Sequence, residues 1–139
     1  MAPKGFGSEN MSKIFMLKPS EGIEGVKRAI LETVEEAGPN PCPPMVVGVG
    51  IGGNFELCAL LAKKALLRPI GSLSEKEHIR LLEEEMVQML NRTGIGPQGL
   101  GGTTTVLGVQ IETYATHIAG MPVAVNISCH VTRHGEQIL

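Results

Sequence analysis

The sequence contains no Trp, one Tyr and three Phe, so aromatic residues make up only 3% of its 139 positions. That poverty excludes a stacking platform for nucleobases, which single-strand binders build from aromatic rings. It also means that any core must be assembled from Val, Ile, Leu, Met and Ala. An excess of either charge is missing too: 12 Lys and Arg stand against 14 Asp and Glu, a formal net charge of −2. Neither nucleic acid nor an anionic membrane surface gains from so balanced a chain. No apolar run approaches the ~20 residues of a membrane-spanning helix. The start, Met1-Ala-Pro-Lys-Gly-Phe-Gly, lacks the apolar segment of a secretion signal. The chain therefore reads as cytoplasmic, with no nucleic-acid and no membrane partner. Its three cysteines are odd in number and form no close pair, which suits neither a disulfide framework nor a zinc site. Metal, catalysis or burial must account for them.

What is present is a packable chain, 42% apolar, of a length that suits one domain. Ile14 to Leu17 reads as a strand. Pro19-Ser20 opens a helix in which Ile23, Val26, Ile30, Val34 and Ala37 recur at helical spacing, and Gly38-Pro39 stops it. Met45 to Gly50 is short, apolar and flanked by Pro and Gly, as a strand buried on both faces would be. Asn54 can cap a helix whose Phe55, Cys58, Ala62 and Leu66 share a face. Lys63, Lys64 and Arg68 suit its last turns. Ser74 and Glu77 form a capping box for a third helix carried by Ile79, Leu82, Met86 and Leu90. The period then changes to two, with Leu107, Val109 and Ile111 and again Val123, Val125 and Ile127 alternating with smaller or polar residues. The expected order is strand, helix, strand, helix, helix, strand, strand. It implies an α/β (mixed α+β) domain, a small mixed sheet packed by about three helices.

Three stretches concentrate Gly and Pro: 38–44, 48–53 and 94–102. Such loops have a fixed path and can bring backbone N–H groups close to a ligand, or they can simply be tight turns. Gly48-Val49-Gly50-Ile51-Gly52-Gly53 satisfies G-x-G-x-x-G between a strand and a helix, which keeps a dinucleotide-binding module open as an alternative. The acidic strand end that should follow about 20 positions on is missing. Cys42 lies in Asn-Pro-Cys-Pro-Pro, where prolines fix the backbone on both sides. Cys129 sits where the last strand ends, in Ser-Cys-His. Cys58 falls on an apolar helix face and reads as core. His117, in Thr-His-Ile-Ala-Gly, has a ring suited to proton transfer, though a hydrogen-bonded structural histidine fits the same context. His130, Arg133 and His134 make a polar tail that could bind a carboxylate or simply solvate the terminus.

Taken together, these segments resemble the class I iron–sulfur fumarate hydratases and the related tartrate dehydratases. The resemblance runs through Pro3-Lys4-Gly5, Gly7-Ser8-Glu9-Asn10, residues 40–44, 47–53 and 61–68, and most specifically Gly94-Ile-Gly-Pro-Gln-Gly-Leu-Gly-Gly-Thr-Thr104. Thr116-His117-Ile118-Ala119, residues 122–126 and Cys129-His130 complete it. It implies a [4Fe–4S] cluster held by three cysteines, of which Cys42 and Cys129 match the second and third, while the first lies upstream. Cys58 matches no ligand. It implies that an open iron acts as a Lewis acid on a small dicarboxylate, fumarate/malate or tartrate/oxaloacetate, and that His117 is catalytic. Residues 1–139 would then be a single domain or subdomain, the C-terminal part of the cluster-binding (α) region of an oligomeric hydro-lyase. The rest of that region and a second, β part would complete the pocket, and this chain alone would be inactive. A non-catalytic assembly domain is the remaining alternative.

Overall fold

The patterning resolves into three long helices and a four-stranded mixed sheet in the computed structural model, which describes residues 1–138. One helical turn, α1 (Phe6–Glu9), precedes β1 (Lys13–Leu17). Then follow α2 (Gly22–Ala37), β2 (Met45–Gly53), α3 (Phe55–Ala65), α4 (Glu77–Asn91), β3 (Val106–Thr116) and β4 (Met121–Ser128). The expected order is borne out, with α1 added. The strands lie in the order β1-β4-β2-β3. β4 is antiparallel to both β1 and β2, whereas β3 is parallel to β2. A parallel pair needs a long crossover, and α3 with α4 supplies it.

β2 is central and buried on both faces. Met45, Val47 and Val49 share one face with Val109 and Ile111 of β3 and Val123, Val125 and Ile127 of β4. There α2 covers them through Val26, Ile30, Val34 and Ala37, and α4 through Ile79, Leu82, Met86 and Leu90. These are the helical positions the spacing singled out, except that Ile23 is half exposed. Each such side chain contributes about 1.5–3 kcal/mol on burial.

The opposite face is covered by α3, where Cys58 and Ala62 pack on Ala124. Here the glycines of β2 find their reason. A Cβ on Gly50 would overlap the Cys58 carbonyl oxygen and stand 2.6 Å from the Ala62 nitrogen, and one on Gly48 would overlap the Ala62 carbonyl oxygen. Glycine lets the helix backbone rest directly on the strand. Both residues are paired with β3 and β4, inside the sheet rather than in a strand-to-helix loop. The G-x-G-x-x-G match is thus accounted for by packing, and residues 48–53 are strand rather than loop.

Four local readings change. Asn54 does cap α3, its Oδ1 accepting from Leu57 N at 2.8 Å. Phe55, however, is 60% exposed: it opens α3, and the contacts of that first turn with β2 fall at Leu57 and Cys58 instead. The Ser74–Glu77 capping box does not form. Ser74 Oγ accepts from Lys76 N two residues on, at 3.4 Å, and α4 starts only at Glu77. Leu107 leaves the alternating set: Met45 pairs with Val106 but Val46 with Gly108, so Leu107 is the extra residue of a bulge and faces solvent while Val106 joins the core. Arg68, read as a helix-end cation, instead donates to Glu83 Oε1 at 2.8 Å, and Glu83 also accepts from Ile111 N at 2.8 Å. This ties α4 across the open edge of β3 and occupies a backbone donor there.

Candidate active site

Strand pairing decides which residues meet. Ser128, the last residue of β4, is opposite Val46 near the start of β2. Cys129 and Cys42 therefore stand at the same end of the sheet, each just outside a strand. Cys42 is exposed and has φ +55°, in the left-handed region that a residue with a side chain enters at a cost on the order of 1 kcal/mol. The surroundings impose it. Cys42 N donates to Pro39 O at 3.1 Å, and the loop 94–102 clamps the next residue, with Gln98 N and Nε2 both donating to Pro43 O, at 2.8 and 3.2 Å. Gly99 lies so near Pro39 that a Cβ there would overlap the ring. That second loop is itself fastened by Thr105 Oγ1, which accepts from Gly96 N at 3.1 Å. Two of the three Gly/Pro-rich stretches are thus one docked unit presenting a thiol.

Cys129 is half-buried, and among the described residues its thiol makes one hydrogen-bond contact, a long 3.8 Å one to Val131 O. Between the two cysteine segments, His130 Nδ1 lies 3.1 Å from Cys42 O. His134 Nε2 lies 2.9 Å from Leu66 O, so the polar tail is pinned back on the domain rather than solvated freely. Cys58 is different: it is fully buried, its thiol donates to Phe55 O at 3.3 Å, and burial pushes its pKa up. It is core, as its helix face implied.

Beside Cys129 lies a charged cluster that the sequence pattern left unassembled. Lys4 has a side chain only 15% exposed, an ammonium 3.9 Å from Glu9 Oε2, and no hydrogen-bond partner among the described residues. Burial pushes its pKa down, Glu9 and Cys129 oppose that shift, and Lys63 adds to it. Lys63, also read as a helix-end cation, reaches Glu9 at 2.6 Å, and Asn126 Nδ2 donates to Glu9 at 3.4 Å while its Oδ1 is buried and unpartnered. Lys4, Lys63, Lys64, Arg68 and Arg133 all line a cavity of about 470 Å³ bounded by Ser128 and Val131. The pieces were visible in the sequence, since Lys4 and Glu9 flank the Gly5–Ser8 segment, but nothing in their spacing brings them to α3 and β4.

His117 is elsewhere. Thr116 pairs with Gly53, the last residue of β2, so the β3–β4 turn carrying His117 is at the opposite end of the sheet from both cysteines. The histidine is exposed, and its Nδ1 accepts from Ala119 N at 3.1 Å, which leaves the proton of the neutral ring on Nε2.

The fit to a cluster can be judged from donors alone. Two thiols at one end, neither committed to a strong partner, beside a buried ammonium whose donors are unused, suit an anionic iron–sulfur group. Among the described residues no three His, Cys, Asp or Glu side chains converge on a metal position. The chain's own donors thus fit two ligand positions of such a group.

The sequence matches the family described as fumarate hydratase (Fumerase) over residues 1–137. It is 53% identical over 131 residues to the putative L(+)-tartrate dehydratase subunit alpha of Methanocaldococcus jannaschii, covering 94% of this chain and 46% of that protein. It is 44% identical over 139 residues to the L(+)-tartrate dehydratase subunit alpha of Escherichia coli K12, covering 100% of this chain and 45% of that one. The chain thus spans less than half the length of these curated relatives.

Proposed function

The chain belongs to the fumarate hydratase (Fumerase) family, and from that premise we propose that it is the C-terminal portion of the cluster-binding α part of a hydro-lyase. The reaction is reversible addition of water across the C=C bond of a small dicarboxylate. The observation that carries this reading is the placement of Cys42 and Cys129 at one end of the sheet, beside the buried Lys4 ammonium, which makes no hydrogen bond among the described residues.

Cys42 and Cys129 would hold a [4Fe–4S] cluster together with a cysteine from outside the chain, and the cluster would supply a Lewis acid for the substrate's hydroxyl and carboxylate. Lys4 is placed to attract a carboxylate of the dianion, because its buried ammonium, 3.9 Å from Glu9, has its hydrogen-bond donors unused. Glu9 holds Lys63 and stands beside Lys4, which orients both amines. The clamp of Gln98 on Pro43 fixes the Cys42 backbone. His117 serves as a proton-transfer group through its free Nε2. The relatives are named as alpha subunits, which supports a separate β part that completes the substrate pocket. The enzyme is proposed to be cytoplasmic and oligomeric. No helix among the described residues is long and apolar enough to cross a membrane.

The test is anaerobic purification of the full α subunit with its β part, followed by iron and sulfide analysis, visible absorbance, and hydratase assays on fumarate and tartrate. The expected result is a cluster and turnover on one of these substrates, with absorbance lost in Cys42→Ser and in Cys129→Ser. Stoichiometric NAD binding without iron would instead establish a dinucleotide module. Neither iron nor ligand would leave an assembly domain.

A further inference from the structure

The chain has 12 Lys and Arg, and five of them, Lys4, Lys63, Lys64, Arg68 and Arg133, line the cavity of about 470 Å³ beside Cys129. None of the 14 Asp and Glu lines it. In a chain of net charge −2 this is a strong local excess of one sign. Part of that excess is balanced from outside the wall. Glu9 pairs with Lys4 and Lys63, and Arg68 is held by Glu83 and by the Ser72 carbonyl. Lys64 and Arg133 are exposed and form no ion pair among the described residues, and the Lys4 ammonium makes no hydrogen bond there. The rest of the wall is mostly apolar, with Val46, Leu60, Leu66 and Ile70. A cleft lined by one sign of charge with low-dielectric walls focuses the field and concentrates counter-ions.

We propose that this cavity is a collecting site for the dianionic substrate: it binds a small dicarboxylate without help from a cluster and passes it to the cysteine end. This rests on the function proposed above and deepens it. Two features select a dicarboxylate over a simple inorganic anion. The cations come from separate segments, Lys63 and Lys64 from α3, Lys4 and Arg133 from the stretches before α1 and after β4. Two carboxylates joined by a short carbon chain can meet both sets while the carbon chain lies on the apolar wall. Phosphate has no apolar surface to offer that wall. The volume also falls within the roughly 300–1,000 Å³ usual for small-molecule sites. The segment that carries Arg133 is fastened, since His134 Nε2 lies 2.9 Å from Leu66 O. Transfer to the thiol end is short, because Ser128 and Val131 of the wall bracket Cys129 in the chain.

The test uses the full α subunit with its β part, and succinate, a dicarboxylate with no C=C bond to hydrate. Succinate is titrated by calorimetry into the Cys42→Ser enzyme, so that no cluster takes part. Saturable binding is expected, weakened about tenfold when Lys64→Gln and Arg133→Gln are added together. Both side chains are exposed, and melting temperatures check that the fold survives. Inorganic phosphate should bind more weakly than succinate by a similar factor. In the cluster-loaded enzyme the same pair of substitutions should lower kcat/KM about tenfold at low ionic strength. The gap should close toward about 1 M salt, where charges are screened beyond about 3 Å. Succinate binding that is absent or unchanged by the two substitutions, phosphate binding as tight as succinate, or parallel salt profiles would each overturn the inference and leave the proposed function standing. An assembled parent enzyme without iron or hydratase activity would overturn the proposed function, and the inference with it.

Discussion

Cys42 and Cys58 are one residue type in opposite circumstances. Cys58 has no exposed surface and a thiol whose pKa burial raises, whereas Cys42 is held outward on a left-handed backbone by prolines and by Gln98. In the full assembly Cys58→Ala should keep the cluster absorbance and lower stability by about 1–2 kcal/mol, the scale of a modest core truncation. A folded Cys58→Ala enzyme without absorbance would make Cys58 a ligand. His117→Asn should retain the cluster and lose on the order of 10²–10⁴ in turnover, the usual contribution of an acid–base group. Single-turnover assays beside the visible spectrum separate the two effects. Glu9 carries a pH signature. A hydrogen bond from Lys63 holds its carboxyl below the usual range, helped by Lys4 and Asn126 and opposed by burial. A carboxylate whose folded pKa is depressed stabilises the fold fully above its unfolded value, about 4.3, and loses that contribution as pH falls through the folded value. Glu9→Gln should therefore cost stability near neutrality, and its gap to the parent should close in urea titrations as pH falls from the unfolded carboxylate value, about 4.3, through the lower folded value. A gap that stays constant with pH would show that the ion pair with Lys63 contributes nothing.

Among the elements, the β2–α3 contact depends most on single residues. Gly50→Ala would press a methyl group into the α3 backbone at Cys58 and Ala62, where no flexible side chain can give way. Overpacking of this kind costs about 1–3 kcal/mol or more, so the melting temperature should fall markedly. Had the glycines cradled a pyrophosphate, the same change would leave stability intact and abolish NAD binding. The opening of α3 adds a smaller, independent term. Asn54 satisfies Leu57 N, and Asn54→Ala should cost about 1 kcal/mol. An unchanged denaturation midpoint would show that solvent satisfies that donor equally well.

For the whole molecule, a buried two-sided sheet can fold without being a working enzyme. Residues 1–139 alone, purified anaerobically and given iron and sulfide, should show a cooperative fold by circular dichroism and no hydratase activity on fumarate or tartrate. Two thiols stand at one end of the sheet, and the Lys4 ammonium is the one buried cationic group among the described residues without a hydrogen-bond partner. Sustained turnover by this chain, abolished by Cys42→Ser, would disprove that incompleteness.

Much of the fold was legible in advance, because helical spacing in α2 and α4 and alternation in β4 are local patterns that report a buried face directly. So was the family, since residues 94–104, Asn-Pro-Cys-Pro-Pro and Thr-His-Ile-Ala are contiguous stretches. Whether Gly48 and Gly50 faced a phosphate or a helix was not legible, because glycine is selected by close approach and the sequence does not say what approaches. Nor could spacing foresee Lys4, Glu9, Lys63 and Asn126 in one cluster, drawn from α1 and its approach, α3 and β4. The separation of His117 from Cys42 and Cys129 was equally invisible. It follows from strand direction: β4 returns antiparallel beside β2, which carries Cys129 back to Cys42 and leaves the turn before β4 at the far end. Pairing between strands distant in sequence sets such distances, and only the folded chain contains that pairing.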